Sequence, residues 1–128
     1  MNRYSEFAKL IRPYSMAYLG LTPVFGAICN GMLSLFHLLI LFFIGLLCHI
    51  FTFVQNDIFD IEVDKKSAFV SNRPLIIGAI SQKEALFIVI FSFSLAMILS
   101  FVFVFKPVSF IFLLLSFIFI YLYNKYSK

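Results

Sequence analysis

The sequence predicts an all-α protein, a polytopic integral membrane helical bundle with about four transmembrane helices. Three observations predict it. Of 128 residues, 62% are hydrophobic and 12% charged, with a mean hydropathy of +1.04; an ordinary soluble domain carries about 25% charged residues. The apolar residues gather into runs that approach the roughly 20 residues needed to cross about 30 Å of hydrocarbon. The breaks between those runs are turn signals or clusters of charge rather than the alternating pattern of strands.

Along the chain, the first dozen residues are polar and amphipathic, with Tyr4, Phe7, Leu10 and Ile11 on one side. They read as an interfacial helix leading into the membrane. Arg3, Glu6, Lys9 and Arg12 precede any apolar run, a pattern unlike a cleavable signal peptide. A first span covers 13–29; Pro23 interrupts it, and Gly20 and Gly26 allow close helix approach. Asn30-Gly31 is a turn, and a second span covers 32–55. Residues 56–84 are too polar for lipid and read as a motif-bearing loop. Within it, Ser81 followed three residues later by Glu84 has the form of a capping box. A third span covers 85–105, Lys106-Pro107 makes a turn, and a fourth span covers 108–123 before a polar tail. The whole chain, 1–128, is one membrane domain.

The net charge of +4 has a topological meaning here. Placing the N-terminus inside leaves only Lys106 on the outer turns, and every other Lys and Arg on the inner side. Basic residues collect on the cytoplasmic side, so both termini and the polar loop are predicted to be cytoplasmic, in a cell-membrane protein. The positive balance is no sign of a nucleic-acid partner. Cys29 and Cys48 lie in apolar segments without metal-ligand spacing and are expected to be buried.

Chemistry concentrates at Asn56-Asp57-Ile58-Phe59-Asp60-Ile61-Glu62-Val63-Asp64. At about 100° per residue, Asp57, Asp60 and Asp64 fall within roughly 60° of one another on a helix. Asn56 lies at the edge of that face, and Glu62 points nearly the opposite way. Three like charges on one face repel unless a cation sits among them. Mg²⁺, a hard ion that takes carboxylate and phosphate oxygens, is the natural candidate. Arg73 follows in the same loop, where its guanidinium is suited to bidentate contact with phosphate. Metal-holding carboxylates and a phosphate-holding arginine beside a greasy bundle suggest a lipid diphosphate.

These residues resemble a known family. Asn56-Asp57-x-x-Asp60-x-x-x-Asp64 matches the first Asp-rich motif, NDxxDxxxD, of the UbiA-type membrane prenyltransferases. The similarity continues through Asp64-Lys65-Lys66, Asn72-Arg73-Pro74-Leu75, Gly78-x-Ile80-Ser81 and Lys83-Glu84-Ala85, and Arg12-Pro13 resembles the family's approach to its first span. The resemblance implies an intramembrane prenyltransferase that moves an isoprenyl group from a polyprenyl diphosphate to an aromatic or other lipophilic acceptor with Mg²⁺. Asp57, Asp60 and Asp64 would be the catalytic acids. Asn56, Asp57, Asp60 and Asp64 would hold the metal, and Asn56 and Arg73 the substrate diphosphate. The 19 Phe residues offer faces suited to an allylic cation.

The departures from the family are equally specific. The family has a nine-helix fold, of which this chain covers the N-terminal half. Its second motif, DxxxD, has no counterpart, because Glu84 is the one acid after Asp64. Ile76-Ile77 and Ser15 also differ from common family residues. The expectation is therefore an incomplete enzyme as a lone chain: a fragment, or one chain of a split enzyme whose partner, a C-terminal half chain, supplies the second motif. The alternative is a non-catalytic membrane protein that retains metal or lipid-diphosphate binding. A soluble DDxxD-type synthase is excluded by the spans. Among the remaining polar residues, His37 is expected to pack at the outer boundary, His49 to lie near the face of Asn56 and Asp57, and Tyr121, Tyr123 and Tyr126 to form an interfacial belt.

Overall fold

The computed structural model describes residues 2–104 and 106–126. The chain forms six helices: α1 (Arg3–Ile11), α2 (Pro13–Cys29), α3 (Leu35–Phe59), α4 (Ile61–Asp64), α5 (Gln82–Phe103) and α6 (Pro107–Tyr126). There is no strand among the described residues. Met1, Phe105, Ser127 and Lys128 lie outside them, and with them the predicted end of the third span and of the tail.

Three helices, α3, α5 and α6, are long and apolar enough to cross a membrane. The sequence predicts four spans; the remaining one, α2, has 17 residues. At about 1.5 Å per residue it is roughly 25 Å long, short of an average bilayer's hydrocarbon thickness of about 30 Å. The bundle turns a wealth of apolar side chains outward, among them Phe87, Ile90, Phe91 and Ile98 of α5 and Ile111, Phe112 and Phe119 of α6. In water such a surface would drive aggregation; in a bilayer it is the solvent-facing surface.

Helix α3 is the central element, packed mainly against α5 and α2 and less extensively against α6 and α1. Lipid offers little hydrophobic drive between helices, so close fit has to hold them. On one side Phe117 of α6 stands edge-on between Phe51 of α3 and Phe93 of α5, at centroid distances of 4.7 and 5.0 Å. Such aromatic pairs are worth about 0.5–1.5 kcal/mol each. On the other side two glycines meet. A Cβ on Gly45 would lie 2.7 Å from the Leu19 carbonyl oxygen and 2.8 Å from Gly20 Cα, so backbone approaches backbone there. Gly20 thus fulfils the close approach expected of it. Gly26 faces open space, and Gly45 is the residue the sequence reading passed over.

The helix ends differ from the predicted ones for identifiable reasons. Helix α3 does not stop at 55 but runs through Asn56 and Asp57 to Phe59. It can do so because those polar side chains find partners on other elements: Gln55 accepts from Asn124, and Asp57 is paired with Arg12 and Arg73. Helix α6 likewise continues to Tyr126, and Asn124, predicted to lie in a polar tail, is buried while donating to Thr52 O and Gln55 Oε1 at 3.3 and 3.2 Å. In α1 the buried residues are Glu6 and Leu10, whereas Tyr4, assigned to the apolar side, is 84% exposed. Cys29, expected to be buried, is exposed at the last position of α2, and Cys48 is half-buried; both are free. The capping box at Ser81 and Glu84 is present and starts α5. Gly31, in the Asn30-Gly31 turn, has φ +80°.

The two glycines make separable predictions. Gly45→Ala drives its Cβ into the α2 backbone and should lower the stability of the bundle by about 1–3 kcal/mol, the usual cost of overpacking. A Cβ at Gly20 would instead meet the mobile ends of Leu46 and Phe42, at 2.8 Å each. Gly20→Ala should therefore cost less, since Ala also gains up to about 1 kcal/mol in helix propensity. Unfolding in mixed micelles, followed by far-UV circular dichroism, compares the two.

Candidate functional site

The polar residues converge at one end of the bundle, where α3 leaves the apolar layer. The i→i−4 hydrogen bonds continue past the end of α3, from Asp60 N to Asn56 O (2.9 Å), Asp64 N to Asp60 O (2.7 Å) and Lys65 N to Ile61 O (3.0 Å). The helical register of the motif is thereby kept across the junction with α4, and with it the common face of the three aspartates. Asp57 and Asp64 are buried, Asp60 and Asn56 half-buried, and Glu62 is exposed. Glu62 instead pairs with Lys65, whose hydrogen bond holds its carboxyl below the ordinary glutamate range. The region 56–84 is consequently no simple loop. Its first part is the last turn of α3 plus α4, and the irregular stretch is 65–81.

Two guanidiniums meet the acidic face. Arg73, in the irregular stretch, donates through Nη1 to Asp57 Oδ1 at 3.1 Å and also pairs with Asp64 Oδ2. Arg12 donates through Nη2 to Asp57 Oδ1 at 2.5 Å. Asn56 Nδ2 donates to Asp60 Oδ2 at 2.8 Å. Two of the three carboxylates, Asp57 and Asp64, meet the guanidiniums, and the third, Asp60, meets the Asn56 amide. Hydrogen bonds between such ionised groups are roughly twice as strong as neutral ones, and the burial of Asp57 strengthens them further.

Arg12 is the site residue that the sequence reading did not assign. Pro13 disfavours the right-handed helical region for the preceding residue, and Arg12 adopts neither that region nor the extended one. Arg12 takes φ 55°, ψ 60°, the left-handed region, which costs a non-glycine residue about 1–2 kcal/mol. That conformation breaks α1 from α2 and is held on both sides. Arg12 N donates to Ala8 O at 3.0 Å, and Ser15 N and Oγ both donate to Arg12 O at 3.1 Å. His49, fully buried on α3, bonds through Nε2 to Ile11 O at 3.0 Å. A carbonyl can only accept, so Nε2 carries the proton. The His49 ring lies 4.5 Å from that of Phe53, and the Arg12 guanidinium lies 4.9 Å over Phe53. The arginine is thus fixed by backbone, aromatic face and carboxylate together.

Two cavities open at the motif. One, about 340 Å³, is lined by Lys9, Arg12, Tyr14, Asp57, Asn72 and Arg73. The other, about 450 Å³ and mainly apolar, lies between α3 and α6 and is lined by Phe53, Asn56, Phe119 and Tyr123, among others. A larger cavity of about 590 Å³ sits at the opposite end, around Asn30, Met32 and Lys106, and has no carboxylate in its lining. As potential metal ligands the motif offers oxygen donors of the kind a hard divalent cation takes. Its four members are drawn together in two pairs: Asn56 with Asp60, and Asp57 with Asp64 through Arg73. No group of three or more His, Cys, Asp or Glu side chains among the described residues is positioned to hold an ion.

Of the other residues singled out by sequence, His37 bonds Ser34 Oγ at 2.8 Å at the far end of α3 and takes no part in the site. Tyr121 packs edge-on against Phe59 at 5.7 Å and, like Tyr126, lies close to Lys125.

Arg73 is the tie between the irregular stretch and the helical acids, so its removal should loosen that stretch locally. Arg73→Gln leaves Asp64 without its guanidinium and Asp57 with Arg12 alone; removing one partner of a fully buried pair costs about 3–5 kcal/mol, and this part-exposed one should cost less. Limited proteolysis should cut within 65–81 much faster in that variant, with Glu62→Gln, at the exposed position, unchanged.

The comparisons with known proteins agree with this geometry in one respect. A model of the UbiA prenyltransferase family matches residues 17–128, which include the motif, Arg73 and the three long apolar helices. No curated protein and no solved structure matches the chain.

Proposed function

We propose that this chain, which belongs to the UbiA prenyltransferase family, binds an isoprenyl diphosphate at the motif end of its bundle and takes part in transfer of the isoprenyl group to a lipophilic acceptor. One observation carries the reading. The consecutive residues Asn56 and Asp57 line two different cavities, an apolar one with aromatic walls and a polar one with three cations. An amphiphile with a hydrocarbon chain and a diphosphate head needs that division.

In this reading Lys9, Arg12 and Arg73 take the diphosphate oxygens, the two arginines by bidentate contact. Asp57, Asp60 and Asp64, with Asn56, are the proposed ligands of Mg²⁺. Bound there with substrate, the ion would offset the charge gathering on the leaving diphosphate. The exchange of partners is chemically reasonable: the guanidiniums that now neutralise the acids are free to turn to phosphate when a divalent cation takes their place. The isoprenyl chain lies in the cavity between α3 and α6, with Phe53, Phe119 and Tyr123 around it. Transfer breaks the bond between the allylic carbon and the bridging oxygen, and diphosphate leaves with the electron pair. The acceptor then bonds to that carbon and releases a proton. Aromatic faces nearby favour the cationic character of the carbon. The DxxxD element that the family places later is absent from 65–128, so turnover calls for a second polypeptide segment bearing it. The motif end is proposed to be cytoplasmic, because among the described residues Lys106 is the one basic residue at the other end.

The test uses the chain in nanodiscs with radiolabelled farnesyl diphosphate. Binding should require Mg²⁺, and Asp60→Ala or Arg73→Lys should weaken it by about tenfold or more, the loss of one charge-assisted contact. Binding that is indifferent to both Mg²⁺ and Asp60→Ala would remove the proposal. Release of inorganic diphosphate on adding a segment that carries DxxxD separates an enzyme from a protein that only binds.

A further inference from the structure

A second polar cavity lies apart from the acidic face and is independent of the prenyl-transfer reading. It has a volume of about 390 Å³ and is lined by Arg3 and Glu6 of α1, Gly78, Ala79 and Ser81 of the irregular stretch, and Glu84 of α5. Its chemistry is set by which acceptors are already used. Glu84 has both oxygens committed: Oε1 to Arg3, and Oε2 to Ser81 N and Oγ at 2.8 and 2.9 Å. Glu6 has only one committed, Oε1 to Lys9 Nζ at 2.7 Å. Glu6 is 2% exposed, and its Oε2 is a buried oxygen without a hydrogen-bond partner. A buried acceptor left unmade carries a substantial desolvation cost, so it calls for a donor.

Charge narrows the kind of donor. The lining carries two carboxylates, Glu6 and Glu84, and one cation, Arg3; Lys9, which bonds Glu6, lines the other polar cavity. A simple anion would face two carboxylates, and a purely cationic ligand would lie against the Arg3 guanidinium. A zwitterion with an N–H-bearing cationic end and an anionic end meets both signs. The Arg3 side chain is 66% exposed, leaving donors of its guanidinium open to the anionic end. The position adds the final constraint. The cavity sits at the head of α5, a helix apolar enough to cross the bilayer, and Leu86 and Phe87 just beyond it are 51% and 68% exposed. A headgroup there can keep its acyl chains in the lipid alongside α5.

We infer that the Glu6 cavity is a binding site for a phospholipid headgroup carrying a primary ammonium, with the ammonium donating to Glu6 and the phosphate on Arg3. The choline headgroup, with the same charges and no N–H donor, is the natural contrast.

The experiment uses the purified chain in micelles and native mass spectrometry of retained lipid. Short-chain phosphatidylethanolamine, its N-methyl and N,N-dimethyl forms, and phosphatidylcholine are compared with acyl chains held constant. Retention should persist in the lipids that keep an N–H donor and drop about tenfold for choline, the worth of one charge-assisted hydrogen bond. Glu6→Gln should abolish that preference, whereas Arg3→Gln should weaken all four lipids alike. Equal retention of ethanolamine and choline lipids would overturn the proposal and assign Glu6 Oε2 to water alone. So would a preference that survives Glu6→Gln. Free phosphoethanolamine binding as tightly as the lipid would overturn the lipid assignment in favour of a soluble amine phosphate. The methylation series reads the unmodified chain, so it decides the question even if the Glu6 variant does not fold.

Discussion

The arrangement at the motif end depends on compensating the Asp57 carboxylate, which is buried where a long apolar helix emerges from the bundle. An ionised carboxylate in that position is costly unless charge and hydrogen bonds surround it. Arg12 approaches from the α1–α2 junction and Arg73 from the irregular stretch, and both reach the same oxygen, Oδ1. Much else follows from satisfying that one group. The chain is broken at Arg12 and held there in the left-handed region. The stretch 65–81 is folded back over α3 and α4, and α1 is laid across the top, where the Arg3–Glu84 pair fastens its far end. Remove the carboxylate and the two arginines lose the one partner they share.

Such a network is poor evidence for stability as such. Replacing a buried ion pair with apolar residues of the same shape is often neutral or stabilising. The left-handed Arg12 adds a backbone cost, and the orphaned oxygen of Glu6 and the unbonded Nδ1 of His49 add more. A bundle selected only for persistence in lipid would be expected to shed these features. They gather at one end, near the cation-lined cavity, while the opposite end has a glycine turn, local hydrogen bonds of Asn30 and His37, and a cavity whose one charged lining residue is Lys106. That asymmetry is what links the energetics of the fold to a site that handles charge.

What was legible in the sequence was mostly what has a period or a local signature. The aspartate face could be read because the i→i−4 register survives the end of α3, so angles reckoned for an ideal helix apply. The capping box at Ser81 is a four-residue pattern and needs no tertiary knowledge. Long-range partnerships left no such trace. The pairing of Asn124 with Gln55, 69 positions apart, turned a predicted tail into a helix interior. The contact of Gly45 with Gly20 depends on how α2 and α3 cross, and Gly26, equally plausible by sequence, meets nothing. The burial of Glu6 in place of Tyr4 reverses what amphipathicity suggests, because the element beside it is protein some 70 positions on, around Gly78, Ala79, Ser81 and Glu84, rather than lipid. Arg12 had one available signal: an arginine immediately before proline, at the head of an apolar run, in a chain poor in charge.

The same reasoning bears on why the arginines are suited to a site rather than a scaffold. A guanidinium presents several donors in one plane, and Arg73 uses a single nitrogen, Nη1, for both of its carboxylate contacts. Arg12 similarly reaches Asp57 through Nη2 while its face rests on Phe53. Each retains donors beyond those contacts and lines the same cavity as Lys9. A lysine in either place would spend its point charge on the acid and keep no planar fork for a second anion. The acids therefore do more than wait for a cation. By holding both arginines against one wall of the cavity, they keep two guanidiniums next to the place where the proposed diphosphate would enter, which would lower the cost of ordering them.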